Sequence, residues 1–278
     1  MKYAILLPTD FSDNAWCAIS YALKLYENKP CTFYLLHAWT FTNSETRTYI
    51  TSSFIDNLKS ESKTKLVALK EKAKAKTTTN THNFKVIFST NDFLSAVKLS
   101  VKVYNIQMII MGTKGRTGMS QILFGSNTVS LISKIKSCPI LAVPNAYEFV
   151  KPKTIAFSTD YNRFDTTELE PLKYIAKLYN SEILIVHVNK ENDLSDIQTH
   201  NLKRLKVNLE DYTINFNWLD QKNTMEDTIK YFINTYNINL LAMVNYKHSF
   251  LDHFLKASLV KKIGFNTKVP FLVLPSYD

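Results

Sequence analysis

The chain predicts an α/β protein made of two similar units in tandem, each a parallel sheet with helices on both faces. Three observations predict it. Short apolar runs of strand length alternate with segments of helical period, the pattern that builds parallel sheets covered on both sides. The later part of the 278-residue sequence repeats the earlier part. Four of the five glycines, Gly112, Gly115, Gly118 and Gly125, crowd between one such run and a helix.

The elements follow in order. Tyr3–Leu7 is apolar and is closed by Pro8, so it reads as a buried strand. Thr9-Asp10-Phe11-Ser12 is a turn. Ala15, Ile19, Ala22, Leu23 and Tyr26 share one helical face. Thr32–Leu36 is the second strand, running out at His37-Ala38-Trp39, and residues 40–52 are a polar loop. A long charged helix runs from Phe54 to about Ala75, followed by a strand at Phe84–Phe88. Asn91-Asp92 caps a helix that reaches Tyr104. Ile106–Met111 is the fourth strand. The glycine stretch, a helix with Val129, Ile132 and Ile135 in phase, and a strand at Pro139–Val143 complete the unit.

Residues 144–152 read as a linker, which divides the chain into units 1–146 and 151–278. Thr159-Asp160 and His187 repeat Thr9-Asp10 and His37 at an offset of 150. Tyr236-Asn237-Ile238 repeats Tyr104-Asn105-Ile106 at an offset of 132. The falling offset places the shortening of the second copy mainly in its second helix. At the 132 offset Gly112 becomes Val244, Gly115 becomes Lys247, Gly118 becomes Phe250 and Gly125 becomes Ala257, while Ser126 persists as Ser258. Side chains at the first two positions block close approach to the backbone, so the second unit is expected to keep the fold and lose the site.

Composition bounds the function. Hydrophobic residues make up 45% of the chain, as in globular proteins. The three cysteines, Cys17, Cys31 and Cys138, form neither a C-x-x-C nor a metal spacing, which fits a reducing cytosol. No apolar run reaches membrane-spanning length, and the N-terminal run is too short for a signal peptide core, so the expected location is cytoplasmic. The net charge of +10 lies wholly in residues 1–146, with 18 Lys and Arg against 8 Asp and Glu; the remainder holds 16 of each. That bias agrees with an anionic ligand in the first unit. Much of it, however, comes from lysines 59–76 on the long helix, where a solvated face explains them.

The glycine stretch carries the chemistry. Ser126 stands where a helix N-cap would, and a helix N-terminus offers free N–H groups to an anion. The alternative is an ordinary glycine-rich connector, but structureless loops this long in compact domains are usually functional. Walker A requires Gly followed directly by Lys, and the dinucleotide fingerprint requires G-x-G-x-x-G; neither is present. Gly112-x2-Gly115-x9-Gly125-Ser126 instead resembles the nucleotide loop of the ATP-binding branch of the universal stress protein family. Pro8-Thr9-Asp10-Phe11-Ser12, Leu36-His37-Ala38 and Cys138-Pro-Ile-Leu-Ala-Val-Pro144 extend the resemblance to tandem members over nearly the whole chain.

That resemblance implies two Rossmann-like domains, each with a five-stranded parallel sheet, and an adenine nucleotide (ATP, or ADP or AMP) with or without Mg²⁺. Asp10 would hold the adenosine through its carboxylate, the alternative being a turn-capping Asp. Ala38 would meet the base through its backbone. Gly112, Gly115, Gly125, Ser126 and Asn127 would surround the phosphates, Thr128 would add a hydroxyl, and Lys114 and Arg116 would screen charge. Pro8, Thr9 and Met111 complete the site at the strand ends. His37 has no motif partner and reads as a structural strand-end histidine. The closing strands, Pro139–Val143 and Pro270–Leu274, are short and apolar and would be left unpaired as sheet edges, so they are expected to pair edge to edge within the chain, as strands do between subunits in similar proteins; the resemblance also admits a homodimer. The expected function is regulatory or stress-responsive nucleotide binding. A weak nucleotide-hydrolysing enzyme is the alternative, although no Walker B carboxylate, kinase loop or nucleophile–base pair is visible, and no catalytic residue or protein metal ligand is named. Nucleic-acid binding through the basic unit is a third reading without a recognised motif.

Overall fold

The computed structural model describes residues 2–40, 52–113, 125–189, 193–220, 224–247, 251 and 268–277. The first half runs β1 (Tyr3–Pro8), α1 (Asp13–Leu25), β2 (Cys31–Ala38), α2 (Ser52–Lys76), β3 (Asn83–Ser89), α3 (Phe93–Val103), β4 (Met108–Gly112), α4 (Ser126–Lys134) and β5 (Ile140–Val143). The second half runs β6 (Thr154–Ser158), a 3-10 turn at Thr167–Leu169, α5 (Glu170–Tyr179), β7 (Glu182–His187), α6 (Asp196–Asn208), β8 (Ile214–Trp218), α7 (Met225–Thr235), β9 (Leu240–Val244) and β10 (Phe271–Leu274). Among the described residues, α6 has 13 residues where α2 has 25, which places most of the shortening where the falling offsets put it.

The strands form one ten-stranded sheet in the order β3-β2-β1-β4-β5-β10-β9-β6-β7-β8. Each half is thus a five-stranded parallel sheet, and β5 and β10 meet antiparallel at the middle, with Leu141 opposite Leu272. The strands inside the sheet are largely apolar on both sides because helices cover both faces, whereas the edge strands β3 and β8 carry polar residues such as Lys85, Asn215 and Asn217. In β1, Ile5 and Leu7 enter one core and Ala4 and Leu6 the other, all buried. Contacts between the halves continue outside the sheet. Tyr3 stacks on Tyr174 at 4.8 Å, and the Tyr179 hydroxyl donates to the Leu25 carbonyl at 2.7 Å.

Local chemistry sets the element ends. The Ser12 hydroxyl accepts from the Ala15 N–H at 3.2 Å and caps α1, while Asp92 accepts from the Ser95 N–H at 3.0 Å and caps α3. The turn after β1 recurs after β6. Phe11 and Tyr161 both take positive φ, 65° and 56°, and Thr9 and Thr159 each accept from the N–H two residues on. On α2 only Leu66 and Ala73 are buried. Its lysines pair with Asp56, Glu61 and Glu71, or lie over Trp16, Trp39 and Phe88. The positive charge there is a solvated helix face, as expected from the sequence.

Candidate functional site

In a parallel α/β sheet, ligands bind beyond the carboxyl ends of the strands, where chain order reverses. In the first half the reversal lies between β1 and β4. A cleft of about 450 Å³ opens there, lined by Pro8, Thr9 and Asp10 after β1, His37, Ala38 and Thr40 after β2, and Met111 and Gly112 of β4. Gly125, Ser126, Asn127 and Thr128 at the start of α4 close one side, and Ala15, Asp92 and Phe93 complete the walls. All the expected site residues that are described therefore meet in one cavity. Lys114, Gly115 and Arg116 lie outside the described residues.

Several residues take a more specific place than their sequence implies. The N-cap of α4 is Gly125, in extended backbone and without a side-chain cap, and Ser126 is the first helical residue. The expectation of Ser126 as the cap is corrected by one position. The consequence is chemical: Gly125 offers no capping side chain to the first-turn N–H groups of Ser126, Asn127 and Thr128, which have no carbonyl within the helix to bond. They carry the positive end of the α4 dipole into the cleft. The Gly125 N–H donates to the Thr113 carbonyl at 2.6 Å, which joins the end of β4 to the start of α4 and closes the base of the glycine loop.

Thr128 is buried, and its hydroxyl donates to the Gly112 and Thr113 carbonyls at 3.2 and 3.3 Å. It fastens α4 to β4, and the donor expected to reach a phosphate is spent on the backbone. Asp10 caps its turn: one carboxylate oxygen accepts from the Ser12 N–H at 3.0 Å and from the Ser12 hydroxyl at 2.6 Å. The turn-capping reading of Asp10 is thus observed, and the same residue lines the cleft. His37 donates from Nδ1 to the Thr9 carbonyl at 2.9 Å, and His187 makes the same bond to Thr159. A duplicated backbone tie of this kind is structural.

Gly112 is explained by packing. A Cβ there would stand 2.5 Å from Asn14 Nδ2, 2.7 Å from its Cγ and 2.8 Å from its backbone oxygen. The glycine lets α1 lie directly against β4; among described glycines none has positive φ. The second half makes the complementary change. Val244 replaces Gly112, and the residues matching the first turn of α1, 163–166, are not helical. Helix α5 begins only at Glu170.

The matching cleft of the second half is reduced to about 70 Å³, lined by Asp160, His187, Met225, Val244, Tyr246 and Leu251 among others. The Tyr246 hydroxyl bonds the buried Glu168 carboxylate there. Lys247 is exposed, and the counterparts Phe250, Ala257 and Ser258 lie outside the described residues.

Sequence reading missed Ala15, Thr40, Asp92 and Phe93 as cleft residues and brought His37 in only as a strand-end residue. A topological signal for Asp92 and Phe93 did exist: a helix that follows a parallel strand starts at the strand's carboxyl end, on the rim of the cleft. Hydrogen bonds from the Ser95 hydroxyl and N–H hold the Asp92 carboxyl below the ordinary aspartate range. No group of three or more His, Cys, Asp or Glu among the described residues is placed to hold a metal ion. No described helix is long and apolar enough to cross a membrane.

The fold and cleft define an α/β protein with a helix N-terminus opening into a cleft at its switch point. Residues 3–144 match the model of the universal stress protein family, and the chain belongs to that family. It is 25% identical over 144 residues to the universal stress protein YxiE of Bacillus subtilis, a match covering 50% of this chain and 97% of that one. Over its whole length it resembles the crystal structure of a universal stress protein from Archaeoglobus fulgidus, with a TM-score of 0.72, 19% identity and 98% of each chain covered. A putative universal stress protein from Pseudomonas aeruginosa gives a TM-score of 0.55 at 10% identity, covering 99% of this chain and 93% of that one. The last two likenesses bear on the fold alone.

Proposed function

We propose that the first half, residues 1–146, binds one adenine nucleotide, ATP or its ADP or AMP forms, in a regulatory or stress-response role in the cytoplasm. The observation that carries this reading is the uncapped start of α4 opening into a cleft of about 450 Å³ at the switch point. That volume lies in the usual range for small-molecule sites, about 300–1,000 Å³. In this reading Ala38, Thr40 and Phe93 face the base, Asp10 the ribose, and Gly112, Gly125, Ser126 and Asn127 the phosphates. Lys114, Gly115 and Arg116 complete the phosphate end. A Mg²⁺ carried with the triphosphate takes its ligands from phosphate oxygens and water.

Residues 151–278 form the second domain of the pair, joined to the first through β5 and β10. Because β10 occupies the β5 edge, a second copy of the chain has no open β5 edge to pair with. Free Cys17, Cys31 and Cys138 fit a reducing compartment. Calorimetric titration with ATP tests the reading. One site per chain is expected; absence of binding, or two equivalent sites per chain, overturns it.

A further inference from the structure

The α4 helix ends against the second half of the molecule. Its last carbonyls have no partner within the helix. One of them, Ile132, accepts from the Asn245 side-chain amide at 2.5 Å. Asn245 follows β9 directly and is buried, at 1% exposure. The Lys136 ammonium, just beyond the end of α4, donates to the Asn245 side-chain oxygen at 2.6 Å and to its backbone oxygen at 2.9 Å. The Ser276 N–H, beyond β10, donates to the Lys136 carbonyl at 3.2 Å. The donors and the acceptor of the Asn245 amide are thus both engaged, one with a helix carbonyl and one with a cation placed where the negative end of the α4 dipole favours it.

The arrangement is one-sided. Thr113 holds the position in the first half that Asn245 holds in the second. It is also buried, yet its hydroxyl meets no hydrogen-bond partner among the described residues. Among the described residues, the side chain at this position bonds across the joint from the second half and not from the first. At its other end α4 presents Gly125, Ser126 and Asn127 to the cleft.

From this we infer that Asn245 is a positioning residue for the phosphate end of the first-half site: the second half, whose own cleft is much smaller, is retained as the clamp that fixes α4. This rests on the nucleotide reading above. Helix α4 is nine residues long, tied to β4 through Thr128 and to the second half through Ile132, so a shift at one end is passed to the other. Loss of the clamp shifts the N–H groups at its start, and groups that bind a charged oxygen tolerate little displacement. The base and ribose walls come from β1, β2 and α3, which Asn245 does not touch through these bonds.

The test uses the full chain with Asn245→Thr, which installs the residue of the matching first-half position. ATP and adenosine are titrated separately, with thermal unfolding recorded without ligand. Affinity for ATP is expected to fall about tenfold or more while adenosine binds as to the parent. Equal binding of both ligands by variant and parent overturns the inference, and so does an equal loss for both, which marks a merely structural role. A parent that binds neither ligand overturns the nucleotide reading itself. If N245T does not fold, Lys136→Met carries the same expectation with the same split between ATP and adenosine.

Discussion

Gly112 separates two reasons for a glycine at a strand end, and Gly112→Ala tests which applies. In the structure the added Cβ meets the Asn14 side chain at 2.5 and 2.7 Å and the Asn14 carbonyl oxygen at 2.8 Å, where ordinary contact begins at 3.4 Å. The amide can rotate away, but the carbonyl belongs to the backbone of α1. That helix must retreat by about 0.6 Å, the difference between those last two distances. Its start is held by the Ser12 cap, and Ala15, Ala18 and Ile19 are buried. Overpacking of this kind costs about 1–3 kcal/mol, or roughly 2–4 °C in melting temperature for each kcal/mol. The assay is urea and thermal unfolding of the ligand-free chain, with a double-mutant cycle through Asn14→Ala. The cycle should return part of the loss, because only the side-chain contacts are removed. If G112A unfolds within about 0.5 kcal/mol of the parent but binds nucleotide poorly, the glycine serves ligand approach and the packing argument fails.

Two further outcomes are expected. Gly115→Val should weaken ATP binding by two orders of magnitude or more and leave the fold intact, since the second half carries Lys247 at the matching position; unchanged affinity would make the loop a connector. Burial pushes the Cys31 and Cys138 thiols from 9.0 up to about 12, so the native chain keeps protons that the unfolded chain releases. Their contribution to stability is complete below pH 9 and declines as pH rises toward 12, by up to about 1.4 kcal/mol per pH unit for each thiol. Urea unfolding across that window should show a shallower loss for Cys31→Ala, and an unchanged slope would refute the assignment.

The sequence by itself determined the class of fold, the duplication and the place of the cleft. Those features are local or periodic. Alternating apolar runs fix the strands, the repeated Thr-Asp turn and Pro-flanked closing strands reveal the copies, and the Gly112, Gly125 and Ser126 spacing marks a loop between strand and helix. Tertiary structure alone decided what several of those residues do. Gly112 is small because Asn14 lies across it, Thr128 is committed to the β4 carbonyls, and Asp92 and Phe93 reach the cleft from α3. The pairing of β5 with β10 is expected from two apolar closing strands, but its antiparallel register, and the reach of Asn245 to Ile132, join residues more than 100 positions apart. No local spacing encodes such contacts: which side chain meets which carbonyl is set by the packing of whole layers, and that exists only once the chain has folded.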